Sequence, residues 1–262
     1  MEEGLPAIRI GTAGWALPRE WQGNFGGDGS HLERYATRFS CVEINSSFYK
    51  AHRRSTYERW AASVPAGFRF AVKVPRAITH DQALVASDVL LSVFLEEVTG
   101  LGRQLGPLLV QLPGSQPYDA GRVGEFFETL RGLHAGVVVC EPRHPGWFAA
   151  EADDLLARYG IVRAAADPAR VPRAACPGGS CDFAYYRLHG SPHMYRSSYD
   201  DSFLARLASM LSASEHAAGI WCTFDNTTLG AATGNALRLQ HHLRITTGED
   251  TRASCVPGLD VG

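Results

Sequence analysis

Short apolar runs recur along the chain at 8–11, 41–45, 68–74, 108–112, 137–141, 161–167, 183–189 and 220–225. They are four to seven residues long and rich in β-branched or aromatic residues, which predicts eight strands. Between them, apolar residues fall at helical spacing over 31–39, 55–63, 81–99, 119–133, 149–159, 200–217 and 232–243. In the first of these, Leu32, Tyr35, Ala36 and Phe39 share one face; in the fourth, Val123, Phe126, Phe127 and Leu130 do. Ser55 with Glu58 three residues on reads as a capping box. The sixth connection, 168–182, holds three prolines and two glycines and predicts a loop with at most a short helical turn. Strands alternating with helices predict an α/β fold, a (β/α)8 TIM-type barrel with the sixth helix short or missing. No stretch reads as a linker, so 1–262 is expected to form one domain, with its core over about 8–243 and a frayed tail over 246–262. The competing architecture, an open doubly wound sheet, usually carries a Gly-rich phosphate loop after the first strand. Gly11-Thr12-Ala13-Gly14-Trp15 lacks that spacing.

Composition narrows the function classes. Apolar residues make up 45% and charged residues 20% of the 262, which excludes a disordered chain. A net charge of −2 argues against a uniformly cationic nucleic-acid binder. No run of 18 apolar residues predicts a membrane span. The first residues lack a basic segment followed by an apolar one, so no secretory signal is read and a cytoplasmic location is expected. Nothing in the sequence points to a protein partner. Cys41, Cys140 and Cys222 lie in apolar runs and read as small core residues. Cys176 and Cys181 flank a turn-like stretch, and whether they pair is left open; Cys255 lies in the tail and is uninformative. Only Lys50 and Lys73 are lysines.

The chemistry is expected at the C-terminal strand ends, where alternate residues of a barrel point inward. That parity turns Glu43, Asn45, Lys73, Gln111, Glu141, Asp167, Arg187 and His189 toward one mouth, while the parity of Asp225 and Asn226 stays open. Structural layers of a barrel prefer Val, Ile and Leu, and buried charges must be desolvated and paired, so such a ring reads as a binding or catalytic site. Internal ion pairs, Glu43 with Lys73 or Glu141 with Arg187 or Arg143, are the structural alternative. In Glu141-Pro142-Arg143-His144-Pro145-Gly146-Trp147, Arg143 suits a phosphate or carboxylate and His144 can move protons. Trp15, Phe48, Tyr49, Tyr195 and Tyr199 can form a stacking rim, with Arg76, His80, Arg143 and Arg196 adding positive charge.

Seven segments in order resemble the YecE-like family, catalogued as domain of unknown function 72. They are Ile10-Gly11-Thr12-Ala13-Gly14-Trp15, Val42-Glu43-Ile44-Asn45-Ser46-Ser47-Phe48-Tyr49, Phe68 to Arg76, Gly106 to Pro113, Glu141 to Trp147, Tyr186-Arg187-Leu188-His189-Gly190 and Phe224-Asp225-Asn226-Thr227. The resemblance runs from about residue 8 to 243 and implies a TIM-type barrel, without supplying an activity. Ala13 stands where the family commonly has Ser, and Ser191-Pro192-His193 departs from its pattern.

Three functions follow. The first is a hydrolase or lyase on a phosphate-containing or nucleic-acid-related substrate, by fold-level analogy with endonuclease IV-like barrels. Its metal candidates are Glu141, Asp167, His189 and Asp225, but the nearby Lys73, Arg143 and Arg187 and the absence of His-x-His spacing argue against a tightly bound metal. The second is a metal-independent enzyme on a small anionic or sugar-like molecule. In both, Glu43, Lys73, Glu141 and His189 are the catalytic candidates, and Lys73 can act as a base or imine former. Trp15, Asn45, Tyr49, Gln111, Arg143, His144, Asp167, Arg187, Asp225 and Asn226 are the substrate-binding candidates. The third is a non-catalytic module for nucleotides or single-stranded nucleic acid.

Overall fold

The computed structural model describes residues 8–247, apart from 215 and 217. Its strands are β1 (Ile8–Thr12), β2 (Cys41–Ile44), β3 (Arg69–Lys73), β4 (Leu105–Gln111), β5 (Val138–Glu141), β6 (Ile161–Arg163), β7 (Ala165–Asp167), β8 (Gly178–Gly179), β9 (Ala184–Leu188) and β10 (Ile220–Phe224). The helices are α1 (His31–Tyr35), α2 (Ser46–Tyr49), α3 (Arg54–Ala62), α4 (Asp88–Val98), α5 (Ala120–Leu133), α6 (Ala150–Arg158), α7 (Asp201–Ser212) and α8 (Ala231–Thr247). The expected tail from 248 onward, Cys255 and the first residues lie outside the described range, whereas Thr246 and Thr247 belong to α8.

The fold is mixed α/β with parallel sheets. One sheet runs β1-β10-β9-β7 and the other β2-β3-β4-β5-β6-β8. Every ladder is parallel except that between β6 and β8. The hydrogen-bonded ladders therefore form two arcs and not the single closed cylinder expected. The arcs meet where Ala13 bridges Glu43 and where the chain crosses from β6 to β7 at Ala164, whose N–H still donates to Cys140 O at 2.9 Å. That crossing splits the expected sixth strand. At the first seam Gly11 is required, because a Cβ there would run into the carbonyl oxygen and Sγ of Cys41.

Two apolar clusters sandwich the strands. The larger lies between strands and helices. The smaller is enclosed by the arcs and joins Cys41, Ala71, Leu109, Val139 and Val162 of one with Ala164, Tyr185 and Trp221 of the other. Its members alternate along each strand, so the side-chain period of two sets the same inward face that carries polar residues two positions further on.

Side chains cap the starts of α1, α5 and α7. Asp119 accepts from Arg122 N at 2.9 Å and Asp200 from Phe203 N at 2.7 Å. The capping box lies at Ser30 and Glu33 and not at Ser55, since α3 begins at Arg54 and Glu58 pairs with Arg54 instead. The expected helix over 81–99 is shorter. Residues Ala77–Asp81 form a wide turn, and Ala83, Leu84 and Ala86 take positive φ. Leu84 is buried there, and Gln116 Nε2 donates to Ala83 O, so tertiary anchoring overrides the local period. The sixth connection holds one four-residue turn, Pro172–Ala175, tied down by the buried Arg163, which donates to Arg173 O and Cys176 O and pairs with Asp153. Cys176 and Cys181 are exposed free thiols.

Gly11→Ala is expected to lower stability by about 1–3 kcal/mol through overpacking at the seam. Gly23→Ala, whose Cβ meets nothing within 4 Å, is the control. Urea denaturation compares them, and equal midpoints would remove Gly11 from this role.

Candidate active site

The charged residues at the C-terminal strand ends form one buried network around Arg187. Glu43 (β2), Glu141 (β5), Arg187 (β9) and His189 are all essentially without solvent exposure. Arg187 donates from Nε and Nη2 to the two oxygens of Glu43, at 3.0 and 2.5 Å, a forked pair. Its Nη1 donates to Glu141 Oε2 at 2.5 Å and its Nη2 also to Asp225 Oδ2 at 3.1 Å. Tyr185, two residues before Arg187 on the same face, donates to Glu43 Oε2 at 2.9 Å and accepts from Thr223 at 3.2 Å.

His189 bridges the remaining acids. Its Nδ1 lies 3.0 Å from Asp225 Oδ2 and its Nε2 lies 2.8 Å from Glu141 Oε1. Arg143 Nη2 reaches both Glu141 Oε1 (2.8 Å) and His189 Nε2 (2.6 Å). Nε2 thus meets a guanidinium donor and a carboxylate acceptor at once. Three carboxylates, Glu43, Glu141 and Asp225, thus gather around Arg143 and Arg187, with Lys73 nearby. Burial alone would raise the Glu141 carboxyl, but Arg143, Arg187 and His189 hold it well below the usual carboxylate range. Burial acts likewise on Asp225, and Arg187, His189 and Lys73 lower it.

Above the network opens a pocket of about 670 Å³. Trp15, Tyr49 and Tyr195 line it, with Asn45, Ser46, Thr227 and Thr228 as polar neutral groups and His31, Lys73 and Asp225 as ionisable ones. Lys73 comes from the end of β3. Its Nζ sits over the Phe48 ring, 4.0 Å from the centroid, and forms no ion pair among the described residues. Burial, then the Arg187 charge, lowers its pKa to about 8, although Glu43, Glu141 and Asp225 act in the opposite direction. Asp225 spends Oδ2 on His189 and Arg187, and among the described residues nothing bonds its Oδ1. Tyr195 has φ +66 and packs its ring edge-on against His189 at 5.6 Å. Holding a non-glycine residue there costs of order 1–3 kcal/mol. It is fixed by Tyr195 N donating to His189 O and Thr228 N donating to Tyr195 O.

A sequence profile described as "Protein of unknown function DUF72" matches residues 9–257. The chain belongs to the DUF72 family. The UPF0759 protein YecE of Escherichia coli strain K12 is 31% identical over 156 residues, 59% of this chain and 55% of YecE. The match thus spans about half the length of the curated relatives. A DUF72 family protein of Enterococcus faecalis superimposes with a TM-score of 0.77 at 19% identity, over 91% of this chain and 96% of that one. One of Thermotoga maritima does so with 0.74 at 23%, over 90% and 99%. These two show that the fold is shared.

In this DUF72 protein most of the expected site residues do meet. Glu43, Glu141, Arg143, Arg187, His189 and Asp225 form the network, and Trp15, Asn45, Tyr49 and Lys73 line the pocket. The open parity of the eighth strand is settled: Trp221, Thr223 and Asp225 face inward. Glu43 does not pair with Lys73; it is taken by Arg187. Asp167 is displaced from expectation. Its ladder partner is the outward Leu188, while Ala166 sits opposite Arg187, so Asp167 points away from the mouth and accepts from Tyr199 Oη at 2.7 Å. His144 caps a short turn through Nδ1, which accepts from Gly146 N at 3.0 Å. Trp147 is buried under that turn and donates to Gln116 O. Gln111 donates to Leu112 O beside the network. Asn226 is buried and donates to Ser197 O and Asn235 Oδ1, which pins the loop carrying Tyr195. Of the expected rim, Phe48 is buried beneath Lys73, and Arg76 pairs with Asp81.

The expected metal set is not assembled. Asp167 lies elsewhere, and guanidinium groups occupy the positions between Glu141, His189 and Asp225 that a cation would need. Among the described residues no group of three or more His, Cys, Asp or Glu side chains is arranged to hold a metal ion. No described helix is long and apolar enough to cross a membrane. Sequence reasoning missed Thr223, His31, Ser46 and Thr228. Only Thr223 carried a signal, a polar residue two positions before Asp225 on one face.

Two outcomes follow. Arg187→Met leaves the buried Glu43 without a cation, takes one partner each from Glu141 and Asp225, and is expected to cost about 3–5 kcal/mol in urea unfolding. The lowered pKa of Glu141 favours the folded state above the ordinary carboxylate range of about 4, and this contribution is lost as pH falls. The stability gap between the wild type and Glu141→Gln is therefore expected to narrow between pH 6 and pH 3. A constant gap would contradict the assignment.

Proposed function

We propose that this chain is a metal-independent enzyme acting on a small sugar-like, polyhydroxy molecule. In this reading the two arcs work together as a (β/α)8-type barrel with the pocket at its mouth. The observation that carries the reading is Lys73: an amine with its pKa lowered to about 8 faces a pocket of about 670 Å³ without an ion-pair partner among the described residues. An amine so placed can take or deliver a proton near neutral pH. Asp225, backed by His189 and Glu141, supplies a second proton-transfer group beside it.

The walls favour a neutral, hydroxylated ligand over a phosphate. Arg143 and Arg187 are spent on buried carboxylates, which leaves Lys73 as the pocket's lysine or arginine cation. A phosphodiester or single-stranded nucleic acid would want several free cations. Trp15, Tyr49 and Tyr195 instead offer faces for the C–H side of a sugar ring, and Asn45, Ser46, Thr227 and Thr228 offer groups for its hydroxyls.

Thermal-shift titration of the chelator-treated chain tests this. Neutral small sugars and polyols are expected to raise the melting temperature saturably, and Trp15→Ala to weaken the effect at least tenfold. Inorganic phosphate is expected to act weakly and without dependence on Trp15. Tighter, Trp15-dependent binding of phosphate would overturn the sugar-like reading.

A further inference from the structure

Building on that reading of the pocket, we infer that Lys73 Nζ is a nucleophile that forms an imine with the carbonyl group of a hydroxy-aldehyde or hydroxy-ketone. Four features place it there. The side chain rises from the C-terminal end of β3 into the pocket wall. The amine rests on the face of Phe48, and among the described residues no carboxylate pairs with its nitrogen. Asp225 lines the same pocket with Oδ1 unbonded among the described residues, and its Oδ2 is fixed by His189 and Arg187. The pocket is large enough for a small polyhydroxy carbonyl compound.

The step balances within these groups. The ammonium gives one proton to Asp225, and the freed Nζ lone pair attacks the carbonyl carbon. The C–N bond forms as the carbonyl π bond opens; the oxygen takes back the proton held by Asp225, and the nitrogen, cationic after the attack, then passes a second proton to the freed Asp225 carboxylate, giving a neutral carbinolamine. The carbinolamine nitrogen then expels that oxygen, which takes the second proton from Asp225 and leaves as water. The net change is ammonium plus carbonyl to protonated imine plus water, with no oxidant or reductant. The product is again a cation at the same place, so the Phe48 face that stabilises the ammonium also stabilises the iminium. The groups acting on Lys73 are Arg187 from β9, Glu43 from β2, Glu141 from β5 and Asp225 after β10. His80, on the wide turn after β3, also feels the Lys73 charge. Burial and Arg187 favour the neutral amine, and the lowered pKa of about 8 leaves a usable fraction of it at neutral pH.

The sequence supplies its own control. Lys50 is the other lysine of the chain and is exposed. The full chain is incubated at neutral pH with glycolaldehyde, glyceraldehyde or dihydroxyacetone and sodium cyanoborohydride, then mapped by peptide mass spectrometry. Reduced adduct is expected on Lys73 at least tenfold faster than on Lys50. Sorbitol, which has hydroxyls but no carbonyl, is expected to slow labelling of Lys73 and not of Lys50. Asp225→Asn is expected to slow it at Lys73 alone. Labelling of Lys73 no faster than Lys50 overturns the imine. If sorbitol still binds in that case, by thermal shift, the sugar-like reading survives; if it does not, that reading falls as well. The lysine ratio is measured on the unmodified sequence, so the outcome does not depend on a variant folding.

Discussion

The forked pairing of Arg187 with Glu43, and its further bonds to Glu141 and Asp225, hold the strand ends of both arcs together. A guanidinium presents five donors in a rigid plane, and this one makes four bonds to three carboxylates from three strands or strand ends. Removing such a group from water costs several kcal/mol, and the cost is offset only when its donors are satisfied. The arrangement therefore fixes the relative positions of β2, β5, β9 and the residue after β10 more tightly than apolar packing alone would. A purely hydrophobic layer could stabilise the same strands. It would not orient three acids toward one side of a pocket.

Much of this arrangement was legible in the sequence because strands have a period of two. Glu43, Lys73, Glu141, Arg187 and His189 follow inward apolar positions on their own strands, so alternation alone brings them to one end. The same rule failed at Asp167 because Ile161 to Asp167 reads Ile-Val-Arg-Ala-Ala-Ala-Asp, with no clear alternation to anchor it. The inward face there is Val162, Ala164 and Ala166, and the buried Arg163 points outward to Asp153. The helix over 81–99 failed for a different reason. Its apolar stripe is real, but Leu84 is drawn into the core by a backbone that takes positive φ, which no periodicity reveals. Partner choice was the third gap. Sequence spacing puts Glu43, Lys73 and Arg187 at one mouth without saying which cation takes the carboxylate.

The loop after β9 shows how the scaffold holds a strained position. Gly190, at φ +91, turns the chain directly after His189, where a Cβ would meet Ser197 O. Gly190 N donates to Tyr199 Oη, whose hydroxyl reaches Asp167, and Asn226 binds Ser197 O from the far side. Asp167 and Asn226, both expected as ligand-binding residues, thus act one step back. They brace the loop that sets Tyr195 edge-on against His189.

The competition for partners explains why Lys73 is the cation of the set left without an ion pair among the described residues. Arg187 outcompetes it for Glu43 because a forked guanidinium bond satisfies both carboxylate oxygens at once, which an ammonium cannot do. Arg143 takes the outer oxygen of Glu141, and His189 takes Asp225 Oδ2. Each carboxylate is therefore bonded to another group and not to Lys73, while the Arg187 charge remains close enough to disfavour a second cation. The result is an amine kept near three acids yet bonded to none of them. Burial and the Arg187 charge lower the cost of losing the Lys73 proton, while the three acids of the network work against them, so the group that ties the strand ends together also acts on the amine.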